Sequence, residues 1–192
     1  MPRLRTFIAI DLGKAIRDRL VALQNNFAKD IGGVKWVGPK NLHVTLLFLG
    51  EVDNRDLPAL CRAVDDVTRT LPSFSLSIEG AGCFPNPRRP HVLWVGVGAG
   101  APEVVALHDA LEPPLLELGC YRREERKYAP HVTLGRLRSE QAPSGFAQAL
   151  TKHQTWKAGD VAVPDIHVMS SELTPQGPNY AVLSRAKLRG GA

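Results

Sequence analysis

Cysteine is scarce in this chain of 192 residues, with three in all, at positions 61, 83 and 120. An odd, widely spaced set supports neither a disulfide framework nor a CxxC metal clamp, and a reducing cytoplasm is the expected location. No apolar run approaches the roughly 20 residues that a membrane span needs, so no membrane association is expected. The opening Met1-Pro2-Arg3-Leu4-Arg5-Thr6-Phe7 has no apolar h-region or cleavage pattern, so no signal peptide is expected. No Gly/Ser/Pro-rich linker or low-complexity stretch marks the midpoint, which predicts one domain over residues 1–192 rather than two separable ones. Three catalytic signatures are also missing. There is no GxSxG elbow and no helical HExxH. The run Gly96-Val97-Gly98-Ala99-Gly100 lacks the spacing and the Lys-Ser/Thr ending of a phosphate-binding loop.

What is present begins with charge. The formal net charge is +5 and the pI about 9.3, a modest excess that suits a polyanionic partner. Basic residues gather at Arg88-Arg89 and in Arg122-Arg123-Glu124-Glu125-Arg126-Lys127, each also readable as a solvated face. The tail Arg189-Gly190-Gly191-Ala192 is expected to fray. Hydrophobic content of 44% with 22% charged residues is that of an ordinary globular protein.

The most specific feature is a repeated tetrapeptide. His43-Val44-Thr45-Leu46 and His131-Val132-Thr133-Leu134 lie 88 positions apart. On a strand, residues i and i+2 share a face, so each copy sets a His beside a Thr and turns Val and Leu to a core. More than the tetrapeptide matches at this offset. Phe7–Ile10 falls on Val95–Gly98, and a helical pattern at 14–30 (Ile16, Leu20, Leu23, Phe27) falls on one at 102–118 (Val104, Leu107, Leu111, Leu118). Pro113-Pro114 is expected to break or kink the second of these helices. A further helix follows each repeat: one with Leu57, Leu60, Val64 and Val67 in a stripe and Asp56 as N-cap, and a shorter one near Ser144 with Phe146 and Leu150. Each half then ends in hairpin-like strands: residues 74–78 into 91–95, and 161–170 into 180–186. These patterns predict an α+β fold of two pseudo-symmetric lobes from an internal duplication, repeat units roughly 5–92 and 93–188. Each lobe is expected to be a mainly antiparallel sheet with helices outside, the two histidines facing each other across a cleft between the lobes.

Paired imidazoles and hydroxyls point to acid–base chemistry at an anionic oxygen group. Each repeat offers one imidazole and a threonine, a poor zinc set, and no Cys adjoins either box. Two imidazoles near neutrality hold opposite protonation states at one pH, and threonine hydroxyls donate to oxygens that gain charge in the transition state. His91, His108, His153 and His167 lack such a repeat and read as structural or exposed.

At these residues the sequence resembles the two-histidine (2H) phosphoesterase superfamily. Within it, the chain is similar to the bacterial and archaeal RNA 2′,3′-cyclic phosphodiesterases, also called 2′-5′ RNA ligases of the LigT type. Phe7–Asp11, Trp36–Gly50, Phe84-Pro85 with Arg88 and Pro90 before Val92-Leu93-Trp94, and Tyr128–Arg136 carry the resemblance. It implies a phosphoric diester hydrolase that opens a terminal ribose 2′,3′-cyclic phosphate to a 2′-phosphate without metal or other cofactor. His43 would be the proton donor and His131 the proton acceptor, although pseudo-symmetry makes them interchangeable on sequence alone. Thr45, Thr133 and Arg136 would bind phosphate, and Phe84 would stack on a nucleobase or serve as an ordinary core aromatic. Ideal alternation would turn Arg136 away from His131 and Thr133, unless a bulge intervenes or it serves the nucleoside. Gly135, before it, reads as local variation. The implied partners are RNA ends or nucleotides bearing the cyclic phosphate, with no obligate protein partner and a monomeric state. Reversal would join such an end to a 5′-hydroxyl as a 2′-5′ bond. Two alternatives stay open: a non-catalytic nucleotide-binding module of this fold, and a 2H enzyme acting on 2′-5′ oligonucleotides or small cyclic nucleotides.

Overall fold

Periodicity translates into elements much as expected. A computed structural model describes residues 2–123, 125–139, 141–175 and 177–190. The order is β1 (Arg3–Asp11), α1 (Gly13–Asp30), β2 (Val34–Trp36), a 3-10 turn (Pro39–Asn41), β3 (His43–Asp53), α2 (Leu57–Thr68), β4 (Phe74–Phe84), β5 (Val92–Val97), α3 (Ala101–Glu117), β6 (His131–Leu137), α4 (Phe146–Lys152), β7 (Lys157–Val163), β8 (Asp165–Thr174) and β9 (Gly177–Lys187). Ile16, Leu20, Leu23 and Phe27 of α1 are buried, as are Leu60 and Val64 of α2. Each fully buried aliphatic or Phe side chain contributes about 1.5–3 kcal/mol, enough to hold helices that lack side-chain caps. The cap expected from Asp56 is one of these: it occupies the N-cap position of α2 but makes no side-chain cap bond, its backbone being helical (φ −88°, ψ −16°).

Two further expectations change. Helix α3 runs through Pro113 and Pro114 to Glu117. Both prolines lie in its last turns, and the carbonyls they leave without an intrahelical donor belong to exposed Asp109 and partly exposed Ala110, on the solvent side of the helix, where the loss of an N–H partner costs least. The tail is tied down at Arg189, whose N–H donates to Leu71 O at 2.8 Å and whose carbonyl accepts from Ser73 N at 3.0 Å. Gly191 and Ala192 lie outside the described residues.

The strands form one mainly antiparallel sheet in the order β7-β4-β5-β6-β3-β1-β8-β9, with β2 pairing β6. The order reads as a pseudo-twofold about the β6/β3 junction, with β3, β1, β8 and β9 on one side and β6, β5, β4 and β7 on the other. The two halves of the sheet are not simply the two repeats. Strand β4, from the first repeat, pairs β5 and β7, while β8, from the second, pairs β1 and β9. The first repeat thus gives β2 and β4 to the half built on β6, and the second gives β8 and β9 to the half built on β3. Residues 161–170, a single strand segment in the sequence pattern, divide at Pro164 between β7 and β8, which lie toward opposite ends of the sheet. The halves meet at a single ladder pair, Val44 with Val132. Beyond it the β6 edge is taken by β2, with Trp36 opposite Gly135. Buried Gln24 fastens this junction, its Nε2 donating to Val37 O at 2.9 Å and Leu134 O at 2.8 Å.

Candidate active site

The one pair that joins the half-sheets also brings the two His-Val-Thr-Leu segments together. Val44 and Val132 are fully buried on the core face. His43, Thr45, His131 and Thr133 therefore project from the other face. Antiparallel order sets Thr133 across from His43 and Thr45 across from His131. The histidines stand side by side on adjacent strands along the junction of the two halves, rather than on strands of two opposed sheets.

Each imidazole is anchored in the same way. His43 Nδ1 lies 2.7 Å from Asn41 O, and His131 Nδ1 lies 2.7 Å from Ala129 O. A carbonyl only accepts, so in both rings Nδ1 carries the hydrogen and Nε2 is left as the exchangeable nitrogen. For neutral His43, Nε2 accepts from Thr45 Oγ1 at 2.9 Å. Burial pushes the His43 pKa down to about 4, against the opposing pull of the Asn41 carbonyl and the Asp11 charge. Burial, with a smaller contribution from the Arg136 charge, also lowers that of His131. Both rings are thus neutral at pH 7 in the absence of an added anion.

Aromatic rings brace both histidines. Phe7 stacks on His43 with centroids 5.1 Å apart, and Tyr180 meets the same ring edge-on at 5.6 Å. Phe84 meets His131 edge-on at 5.0 Å and leans on Trp94 at 5.0 Å. Phe84 is half-buried, so it is both packed and open to the cleft. Trp94 lies across β4 at Gly82, where an added Cβ would fall 2.2 Å from the indole ring. Phe48 lies within the motif stretch Trp36–Gly50 without standing out there as a site residue, and Tyr180 carries no signal in sequence; the pairings of β1 with β3 and β8, and of β8 with β9, bring them here.

Arg136 reaches this face through a bulge. The β5–β6 register jumps between Leu93 opposite Gly135 and Trp94 opposite Thr133, leaving Leu134 as the extra residue. Leu134 and Gly135 are both buried, so alternation is reset and Arg136 emerges beside His131 and Thr45 in one cavity of about 560 Å³. The first repeat has the same device. The β1–β3 register jumps at Leu46, and the position matching Arg136 is Phe48, 51% exposed in the same cavity. Gly135 is more than local variation: a Cβ there would lie 2.6 Å from Val34 Cγ1 and 3.1 Å from Lys35 O.

Of the remaining histidines, His108 lines the cavity that holds His131, while His91, His153 and His167 are absent from its wall. His91 is exposed, His108 contacts Asp109 at 2.9 Å, His153 packs on Phe27, and His167 lies 3.1 Å from Asp165. Arg88 and Arg89 sit in an exposed turn, their N–H groups donating to Asn86 Oδ1. Among the described residues no cluster of three or more His, Cys, Asp or Glu side chains is arranged to hold a metal ion, and no helix is long and apolar enough to cross a membrane.

A duplicated α+β sheet carrying paired His and Thr at its pseudo-twofold junction defines the two-histidine phosphoesterase class. The chain belongs to the LigT-like phosphoesterase family, whose profile matches residues 10–94 and again 95–180. It is 36% identical over 179 residues to the RNA 2′,3′-cyclic phosphodiesterase of Methanothermobacter thermautotrophicus, covering 93% of this chain and 95% of that one. With the protein of the same name from Thermotoga maritima it shares 33% identity over 188 residues, covering 98% and 97%. Among solved structures it resembles a protein of Thermus thermophilus (TM-score 0.79, 28% identity, 98% of this chain and 100% of that one). It also resembles Escherichia coli LigT complexed with 3′-AMP (TM-score 0.75, 26% identity, covering 97% and 98%).

Proposed function

We propose that this protein hydrolyses a terminal RNA 2′,3′-cyclic phosphate to a 2′-phosphomonoester by metal-independent acid–base catalysis. One observation carries the reading: two imidazoles, each held through Nδ1 by a carbonyl two residues earlier, turn their exchangeable Nε2 atoms to the same face as two threonines. The name shared by its relatives, and a nucleotide bound to a relative of the same fold, support the substrate class.

In this mechanism His131 Nε2 takes a proton from water as the water oxygen attacks phosphorus. His43 Nε2, protonated, gives its proton to the departing 3′-oxygen, leaving the phosphate on the 2′-oxygen. Thr45 and Thr133 hydroxyls and the Arg136 guanidinium donate to the non-bridging oxygens as charge accumulates. The low pKa of free His43 suits this role once substrate arrives, because an adjacent phosphate anion favours the imidazolium. Phe84, open beside His131, is positioned to stack on the nucleobase. The same groups serve when a 5′-hydroxyl takes the place of water: His131 takes its proton, its oxygen bonds phosphorus, and the 3′-oxygen departs with the proton of His43, leaving a 2′-5′ bond that the reverse step would cleave. A monomer working in a reducing cytoplasm fits the chain's three unpaired thiols.

The test is turnover of an RNA ending in a 2′,3′-cyclic phosphate, in buffer containing EDTA, with the phosphomonoester identified. The wild type is expected to yield the 2′-phosphate, and His43→Ala and His131→Ala each to lose about 10²–10⁴-fold in rate. Full activity in either variant would remove the two-histidine mechanism. Tight nucleotide binding with no turnover would leave a binding module.

A further inference from the structure

The cavity that holds His131, Thr45 and Arg136 continues to the loop between α3 and β6, where Arg126 and Lys127 form part of its wall. That loop is fastened at the next residue. Tyr128 donates its hydroxyl to Thr45 O at 2.8 Å and stacks on His108 with centroids 4.1 Å apart and planes 6° from parallel. Burial raises the Tyr128 pKa, so the phenol keeps the proton that this bond needs. The two cations are thereby held beside the strand that carries Thr45, although both side chains are exposed.

Among the described residues neither Arg126 nor Lys127 forms an ion pair with a carboxylate. Among the described residues the one acidic side chain in the cavity wall, Glu112, is already engaged: Arg123 Nε lies 3.3 Å from its Oε2, and the Tyr121 hydroxyl donates to its Oε1 at 3.0 Å. Hydrolysis of a cyclic phosphodiester involves one phosphate, for which Thr45, Thr133 and Arg136 suffice. Two more cations in the wall of the same cavity suit a second phosphate. In an RNA strand that group is the phosphodiester on the 5′ side of the cyclised nucleotide; a cyclic mononucleotide with a free 5′-hydroxyl has none.

We propose that Arg126 and Lys127 form a backbone-phosphate subsite that selects RNA ends over cyclic mononucleotides. The inference rests on the function proposed above. Its test uses the full chain and three substrates: 2′,3′-cyclic AMP, a trinucleotide ending in a 2′,3′-cyclic phosphate, and that trinucleotide with a neutral methylphosphonate as its last linkage. Wild-type kcat/KM is expected to be highest for the charged trinucleotide. The Arg126→Gln/Lys127→Gln double variant should lose about 10–100-fold on it, the range for charge-assisted hydrogen bonds of this kind. On the mononucleotide it should lose less than about threefold, and that turnover also reports that the variant is folded. Raised salt should erode the wild-type preference and leave the double variant nearly indifferent. Lys157→Gln, whose ammonium pairs with Glu79 at 3.3 Å outside this cavity, should keep the preference. Equal turnover of charged and methylphosphonate trinucleotides by the wild type, or an undiminished preference in the double variant, overturns the subsite. Failure of the wild type to turn over any of the three overturns the underlying function instead.

Discussion

At the residue scale the proposed chemistry turns on two lowered imidazole pKa values. The acid must be protonated and the base free when substrate binds. Burial brings His43 to about 4 and holds His131 below its ordinary 6.5. The two forms required together are most abundant between the two pKa values, whichever ring takes which role. Raising the pH through that interval removes the acid's proton, and lowering it protonates the base. A pH profile of kcat/KM on 2′,3′-cyclic AMP is therefore expected to be bell-shaped with its maximum below pH 6.5, falling about tenfold per unit on either outer limb. A maximum above pH 7 would contradict two lowered histidines. These residues were legible in sequence because the 88-residue repeat singles them out from six histidines. Their bracing was not. Phe7 and Tyr180 reach His43 only through strand pairings formed far along the chain.

At the scale of elements, the bulges at Leu46 and Leu134 decide what the site contains. Period-two reading turns Arg136 away from His131, and one extra residue turns it back. Strand propensity carries no mark of that residue. Its cause is tertiary: β6 runs between β5 and β2, and at Gly135 the approach of β2 leaves no room for a side chain. Pro113-Pro114 is a parallel case, where local propensity predicts a break and solvent at the last turns of α3 lowers its penalty. Gly135→Ala is expected to cost about 1–3 kcal/mol by overpacking, a fall in Tm of roughly 2–12 °C for a chain of this size. Adding Val34→Ala should return part of the loss, since the nearest clash is with Val34 Cγ1. A calorimetric Tm unchanged in the single variant would show that β2 yields without cost.

For the whole molecule, the exchange of strands binds the repeats into one unit. The duplication was readable from matched helices and tetrapeptides, but the exchange was not, because β4 and β8 carry the same alternation whichever half they join. Residues 1–92 would leave β4 without β5 and β7, and β1 without β8. The core follows suit, with one continuous cluster running from Ile8 and Ile10 of β1 through Val44 and Val132 to Val161 and Val163 of β7. Such a molecule is expected to unfold in one step, although its half-sheets touch at a single ladder pair. The tryptophans make this measurable. Trp36 on β2, Trp94 on β5 and Trp156 just before β7 all lie with the half built on β6, and these are the chain's three. Fluorescence therefore reports one half, while far-ultraviolet circular dichroism reports both. In urea the two midpoints are expected to coincide, the signature of a cooperative two-state transition. A fluorescence midpoint displaced from that of circular dichroism would mean that the junction at Val44 and Val132 uncouples before either half melts, and that the two histidines sit on separately stable units.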